Sequence, residues 1–323
     1  MRNKRNTIVA MLVAVALVSA QRATAQVTMP PVNMGATSFM DGVAGPGLLI
    51  EPGVIEFYRA ARFVDADGRK IPGNNSIVVR SNLFHVGYIT TRRLLGAFYG
   101  FEFLLPVASI DVDTDFGPKA HQSGVGDLII SPLIMEWPNR KLLGKPYFSR
   151  FSVLAVLPTG SYAASRPVNV GSNSGGAFAY YSFTFLLNPQ LETSWRIFYL
   201  WNAQNSKPFN ALSASTAQAG QAIHANYAVS YAISPSLRIG ANGYAFQQLN
   251  EHRLGGTLLT RSRERVVAFG PGVVLSSGFW SAIANVDFET FTRNRPEGYR
   301  LNVTLRRVFP HMPSAPRPAV LAQ

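Results

Sequence analysis

Residues 188–205 read NPQLETSWRIFYLWNAQN. From Leu191 onward, one set of alternate residues is Leu191, Thr193, Trp195, Ile197, Tyr199 and Trp201. The other is Glu192, Ser194, Arg196, Phe198, Leu200 and Asn202. A period of two marks a β-strand, because successive side chains leave opposite faces of the pleat. One face carries two tryptophans, a tyrosine and an isoleucine; the other carries a carboxylate and a guanidinium. The fold turns on what buries that aromatic face.

The start of the chain points outward from the cell. Residues 1–25 hold a basic head (Arg2, Lys4, Arg5), an apolar run from Thr7 to Ala20, and Ala23-Thr24-Ala25, a small-residue cleavage site before Gln26. The run is shorter than the roughly 18–20 residues a spanning helix needs, so the segment reads as a cleaved export signal. No later run of that kind is free of charge. The chain has no cysteine, so an exported product cannot use disulfides and relies on packing and strand pairing.

Cleavage removes four basic residues and no acidic one, which lowers the net charge from +13 to +9. That sign favours anionic partners such as lipopolysaccharide or an anionic solute, and equally describes a basic solvated surface. Nucleic acid does not fit: the basic residues are scattered and follow no recognition motif.

The remaining chain reads as twelve strands: 54–63, 76–90, 95–105, 124–136, 147–158, 175–187, 190–203, 217–233, 236–248, 263–276, 279–291 and 298–309. They are rich in Val, Ile, Phe, Tyr and Thr. Short connections (91–94, Asn188-Pro189, Ser234-Pro235, Ser277-Gly278) alternate with longer polar ones such as 64–75, 159–173 and 250–262. The segment 137–146 is the longest of the short set. Two unlike ends and an even strand number are the pattern of an all-β, up-and-down antiparallel transmembrane barrel with short periplasmic turns and long external loops. Gly/Pro-rich residues 26–53 precede the barrel, as a periplasmic segment or a plug; the barrel spans 54–309, and a tail follows over 310–323.

A soluble β-sandwich would also alternate with period two, so residue type has to separate the two folds. The apolar faces end in Trp and Tyr near the turns, as an aromatic girdle would. This assigns Trp195, Trp201, Tyr231, Trp280 and Tyr299 to lipid. The two tryptophans of the opening strand are six residues apart, ~20 Å along the strand, so one lies near an interface.

Several segments together resemble the family of exported meta-pathway phenol-degradation proteins, also called SphA-like. They are SFMDGVAGPG (38–47), the stretch 51–75, GVGDLIISPLI (124–134), LAVLPTGSY (154–162), VNVGSN (168–173), residues 233–248, RVVAFGPGVV (265–274) and TRNRPEGYRLNVTLRRVF (292–309). The resemblance covers nearly all of the mature chain. It implies an outer-membrane barrel linked to transport of aromatic compounds. Barrels of this kind end on an aromatic residue read by the assembly machinery; here Phe309 is followed by fourteen further residues.

Inward-facing charges are the candidate functional residues: Glu192, Arg196, His224, Arg238, Asp287, Glu289, Arg300 and Arg306, with Arg80, Glu102 and Arg150 as further members. Rings of such charges set pore selectivity; alternatively Asp287 and Glu289 pair with Arg300 and Arg306 across adjacent strands and close the lumen. His121, His252 and His311 read as surface histidines without metal-site spacing. DVDTD (111–115) reads as an acidic external loop and lacks the Gly and terminal Glu of a calcium loop. A barrel hydrolase would need a serine beside His224, and HAN (224–226) supplies none. No ATP site, cofactor or metal centre is expected. The expected function is passive passage of small, aromatic or apolar molecules, with a structural or adhesin-like barrel as the alternative and a lipid hydrolase third. The expected partners are outer-membrane lipid and lipopolysaccharide, a small solute, and the barrel-assembly machinery during biogenesis.

Overall fold

A computed structural model describes residues 33–311. The export signal and most of the tail lie outside them. The strands are β1 (Gly47–Phe63), β2 (Asn75–Leu94), β3 (Ala97–Thr114), β4 (Lys119–Val125), β5 (Leu128–Leu142), β6 (Lys145–Leu157), β7 (Gly176–Leu186), β8 (Leu191–Asn202), β9 (Ala217–Gln218), β10 (Ala222–Ser234), β11 (Leu237–Gln248), β12 (Arg253–Leu254), β13 (Thr257–Leu258), β14 (Arg265–Ser277), β15 (Trp280–Arg293) and β16 (Pro296–Pro310). Helix is confined, among the described residues, to the 3-10 turn Asn210–Leu212.

Twelve long strands close a ring in the order β1-β16-β15-β14-β11-β10-β8-β7-β6-β5-β3-β2, with β2 returning to β1. Every neighbouring pair is antiparallel, and closure leaves no free edge to template aggregation. The other four strands lie on the loop side. β4 extends the β3 ladder from Val107 to Asp113, and β9, β12 and β13 form a small sheet.

The two faces are inverted relative to a soluble protein. Ile197, Val229, Ile239, Phe269, Leu275 and Phe288 stand 45–58% exposed on the outside, while Glu192, Asn226, Ser230, Asp287, Asn302 and Thr304 are buried within. A sandwich buries its apolar face and solvates its polar one. Here the apolar face would meet water at a cost of ~25 cal/mol per Å², so lipid is the solvent it requires.

The strands run longer than the sequence pattern suggests. Residues 137–146 are no loop: β5 and β6 continue to a two-residue turn at Leu143-Gly144, with Leu142 paired to Lys145. DVDTD is not a loop either. Asp111 and Asp113 belong to β3; Asp111 meets His121 (2.5 Å) and Arg80 (3.0 Å), and Asp113 meets Lys119 (2.9 Å). β1 starts at Gly47, seven residues early, and one external connection shrinks to Asn294-Arg295.

Three quoted glycine motifs meet at one point on the loop side. Asp127 accepts from the Gly160 N–H (2.8 Å), the Ser172 N–H (2.8 Å) and the Ser172 hydroxyl (2.5 Å). Beside it, a Cβ on Gly160 would come within 2.7 Å of Gly126 and 2.8 Å of Gly171. Backbones this close exclude side chains. GVGD, PTGSY and VGSN are thus one structural knot that pins the 158–175 loop to the barrel rim.

Residues 33–46 run inside the ring. The chain turns in at Gly47, whose φ of +148° and 2.5 Å Cβ approach to the Phe309 carbonyl admit only glycine. The Gly35 N–H donates to Asn226 Oδ1 (3.0 Å), and its carbonyl accepts from Asn285 (3.1 Å) and Asn302 (3.2 Å). Lower down, the Gly42 N–H donates to Thr184 Oγ1 at 2.9 Å. Phe39, 2% exposed, packs against Ala228 and Ile283 and over Gly272. Polar strand residues satisfy the backbone of an irregular segment, which otherwise could not sit at membrane depth.

Candidate functional site: the lumen

β8 presents the inward residues of the opening stretch. Arg196 donates two bonds to Asp41 of the inserted segment, Nε to Oδ2 (2.7 Å) and a terminal nitrogen to Oδ1 (2.6 Å), and lies over the Tyr180 ring at 4.5 Å. This bidentate, buried geometry is the strong form of an ion pair. Two inward positions closer to the turn on β8, Glu192 accepts from the Ser194 hydroxyl (2.6 Å), the Ser230 hydroxyl and the Met40 N–H. Arg238 donates to Ser230 Oγ (2.9 Å) and the Gln190 carbonyl (3.2 Å) near the turn end.

The opposite arc carries the remaining candidates. Asp287 accepts from Asn242 (2.6 Å) and Asn285 (2.8 Å), and Glu289 from Tyr58 (2.8 Å), Tyr244 (2.7 Å) and the Gly298 N–H (2.8 Å). Arg300 lies opposite Asp287 in the β15–β16 register, yet its ion pair runs the other way, to Glu56 on β1. Arg306 likewise reaches Glu51 on β1 at 2.6 Å. The β15–β16 pairs expected between Asp287 or Glu289 and these arginines are therefore replaced by bonds to β1.

Arg80 does not face the lumen. It is 59% exposed, bound to Asp111, on the outer phase of β2. Glu102 and Arg150 do face inward: Glu102 meets His85 (3.0 Å) and Arg150 meets Glu136 (2.8 Å). His85, not among the candidate charges, bridges Glu102 and Glu51 (2.6 Å). Its position on the Val79-Ser81-Leu83-His85 phase could have revealed it. Asp41 also carried no sequence signal, since its partner is 155 residues away.

His224 stacks on Phe198, with ring centroids 4.0 Å apart and planes 12° from parallel. Neither ring nitrogen is hydrogen-bonded, although the Asn33 backbone lies beside the ring. Among the described residues, no hydroxyl is hydrogen-bonded to the ring. His252, expected on the surface, is 1% exposed and accepts from the Gly220 N–H at 3.2 Å, because the 250–262 loop folds over it. The girdle residues Trp195, Trp201, Tyr231, Trp280 and Tyr299 all stand 37–47% exposed on the outer face.

Between the inserted segment and the β1–β3 wall lies a cavity of about 730 Å³. It extends from Ile110 and Asn169 at the loop end, past Leu83 and Leu104, to Leu48 and Val308 at the turn end. Met34, Leu154, Phe178, Phe198 and Phe246 form its apolar side, part of one buried cluster. The charged groups at its border are bound to one another, as with Glu51–His85–Glu102 and Asp41–Arg196. The surface left to a solute is largely neutral and apolar.

An inside-out, closed antiparallel barrel with a segment in its lumen defines the class: an outer-membrane β-barrel. The solved structures agree on the fold. The COG4313 outer membrane channel from Pseudomonas putida F1 aligns with a TM-score of 0.74 at 16% identity, over 87% of this chain and 100% of that one. The transport unit of the autotransporter AIDA-I from Escherichia coli aligns at 0.50 with 8% identity, over 91% and 97%. A search of curated proteins finds no match. The family described as "Putative MetA-pathway of phenol degradation" matches residues 60–305, and the chain belongs to it.

Proposed function

We propose that this protein is a passive outer-membrane channel for small apolar solutes, aromatic ones included. The observation that carries this reading is the apolar cavity running along the β1–β3 wall while the border charges neutralise one another. An ion meets no uncompensated partner along such a path and keeps most of its desolvation cost, whereas an aromatic ring loses little. The P. putida relative's description as an outer membrane channel, together with the family's tie to phenol degradation, supports the same reading. Nothing in this route calls for energy input. The seven inward carboxylates and arginines act in it as the fixed frame of the passage, with Arg196 and Glu192 holding the inserted segment and His224 contributing a ring face beside Phe198.

Export by a signal cleaved after Ala25, termini on the periplasmic side, lipopolysaccharide around the loop end and assembly-machinery recognition near Phe309 belong to the same proposal. Uptake of a labelled phenol into liposomes containing the purified protein tests the function. Entry several-fold above empty liposomes is expected, with low ion conductance. A barrel that takes up neither phenol nor an apolar aromatic would be structural only, and the channel reading would fall.

A further inference from the structure

Two neighbouring turns at the periplasmic end share a sequence that the channel reading does not use. Residues 92–96 read RRLLG and residues 140–144 read RKLLG. Both close two-residue hairpin turns, with φ of +49° and +77° at Leu95-Gly96 and +51° and +77° at Leu143-Gly144. Such turns favour Asn-Gly, because positive φ crowds the Cβ of most residues. Leucine at the first position is conformationally unfavourable, and here it is also wasted as a core residue: Leu95 is 80% and Leu143 86% exposed, with Leu94 and Leu142 at 45% and 46%. The other turns on this side are built differently, from 187–190, Pro235-Ser236 and Gly278-Phe279, and none of them places leucine at a positive φ. Strained, exposed leucine used twice on adjacent hairpins calls for something that takes up its side chain.

The charges around these leucines indicate what that is. Arg92, Arg93, Arg140, Lys141 and Lys145 are all exposed, and among the described residues none is paired with a carboxylate. Three of them bind rings and carbonyls instead: Arg93 lies 4.1 Å over Phe98, Arg140 4.7 Å over Trp137, and Lys145 donates to the Leu187 carbonyl at 2.7 Å. The Trp137 indole donates to the Leu95 carbonyl at 3.4 Å. An indole is an interface marker, so it sets the Leu95 turn at headgroup depth. Apolar tips between unpaired cations at that depth complement an anionic lipid headgroup with its acyl chains below.

We propose that the two leucine turns form an anchor for anionic phospholipid of the periplasmic leaflet, the leucines entering the acyl boundary and Arg92, Arg93, Arg140 and Lys141 holding the headgroups. Trp137 reports on the site. In a variant keeping Trp137 alone (Trp195→Phe, Trp201→Phe, Trp280→Phe), brominated phosphatidylglycerol in vesicles should quench its fluorescence about twofold more than brominated phosphatidylcholine at equal mole fraction. About 0.5 M salt should remove the excess by screening, a readout that needs no change in the turns. R92Q/R93Q/R140Q/K141Q should abolish it, and L95S/L143S should lower quenching by both lipids, with heat-modifiable migration on gels confirming folded barrels. Native mass spectrometry of the unmodified protein should show phosphatidylglycerol retained over phosphatidylcholine. Equal quenching by the two lipids at low salt, as expected of a turn meeting a soluble protein partner, overturns the proposal, as does an excess that survives the charge variant.

Discussion

The two sides of the lumen do opposite things with the same alternating pattern. Along β8, β10, β15 and β16, inward polar residues bind a stretch of the chain's own backbone: Ser194, Asn226, Asn285 and Asn302 all bond to residues 33–46. Along β1, β2 and β3, inward Val54, Leu83 and Leu104 face open space. Amides and hydroxyls are needed where a peptide backbone must be satisfied away from water. Aliphatic side chains suffice where the occupant is a transient solute. Which side is filled is therefore decided by hydrogen-bonding capacity rather than by bore, since both sides share one ring of twelve strands.

Removing the occupant should break this contrast most completely. Deleting residues 33–46 leaves β1 intact from Gly47 and should raise single-channel conductance toward that of an unfilled twelve-stranded lumen; unchanged conductance would mean that the segment obstructs nothing. Next comes Arg196→Gln, which strands Asp41 without its cation. Breaking a buried pair costs ~3–5 kcal/mol, enough to shift the docking equilibrium by ~10²–10⁴-fold, and bilayer recordings should show frequent large openings absent from the parent. On the open side, Leu104→Arg should cut aromatic uptake about tenfold by removing one apolar contact and placing a charge in the path. The inserted segment should stay docked in that variant, as judged by unchanged protease protection. Gly272→Val tests the packing of Phe39, since a Cβ there lies 2.7 Å from its ring. Overpacking costs ~1–3 kcal/mol, so openings should appear, fewer than with Arg196→Gln. Least affected should be Trp201→Phe on the outer face, with flux and conductance within error of the parent and only a small loss of thermal stability.

What the sequence discloses follows from the range of the interactions involved. The strand at 191–202 is readable because alternation is local, and its outer tryptophans and inner Glu192 and Arg196 stand on the faces that alternation assigns. The ends of strands are less readable. In 137–146, Pro138, Pro146 and Gly144 look like loop residues, yet Gly144 serves the hairpin and the strand continues around it. Asp111 and Asp113 look like loop acids until Arg80, His121 and Lys119 are seen beside them. Arg80 was misassigned because the phase of β2 runs through Ser81 and His85, and a charge on the outer phase is tolerated where the strand rises above the bilayer. Asp41 carries no local periodicity at all, so its role emerges only when β8 is in place.

That distance in sequence governs the order of assembly. The bonds from Gly35 to Asn285 and Asn302 close intervals of 250 and 267 residues, whereas the hairpin ladders close loops of a few residues. Long loops carry a larger entropic cost that must be met before any bond rewards it. The bonds of Gly35 to β15 and β16 can therefore form only after the last two strands have joined the ring, although the N-terminal part of the chain is made first. Before that, the segment can hold only to β7, β8 and β10, through Gly42, Asp41 and Asn33. The seal that a deletion would remove is complete only when the two ends of the chain have met.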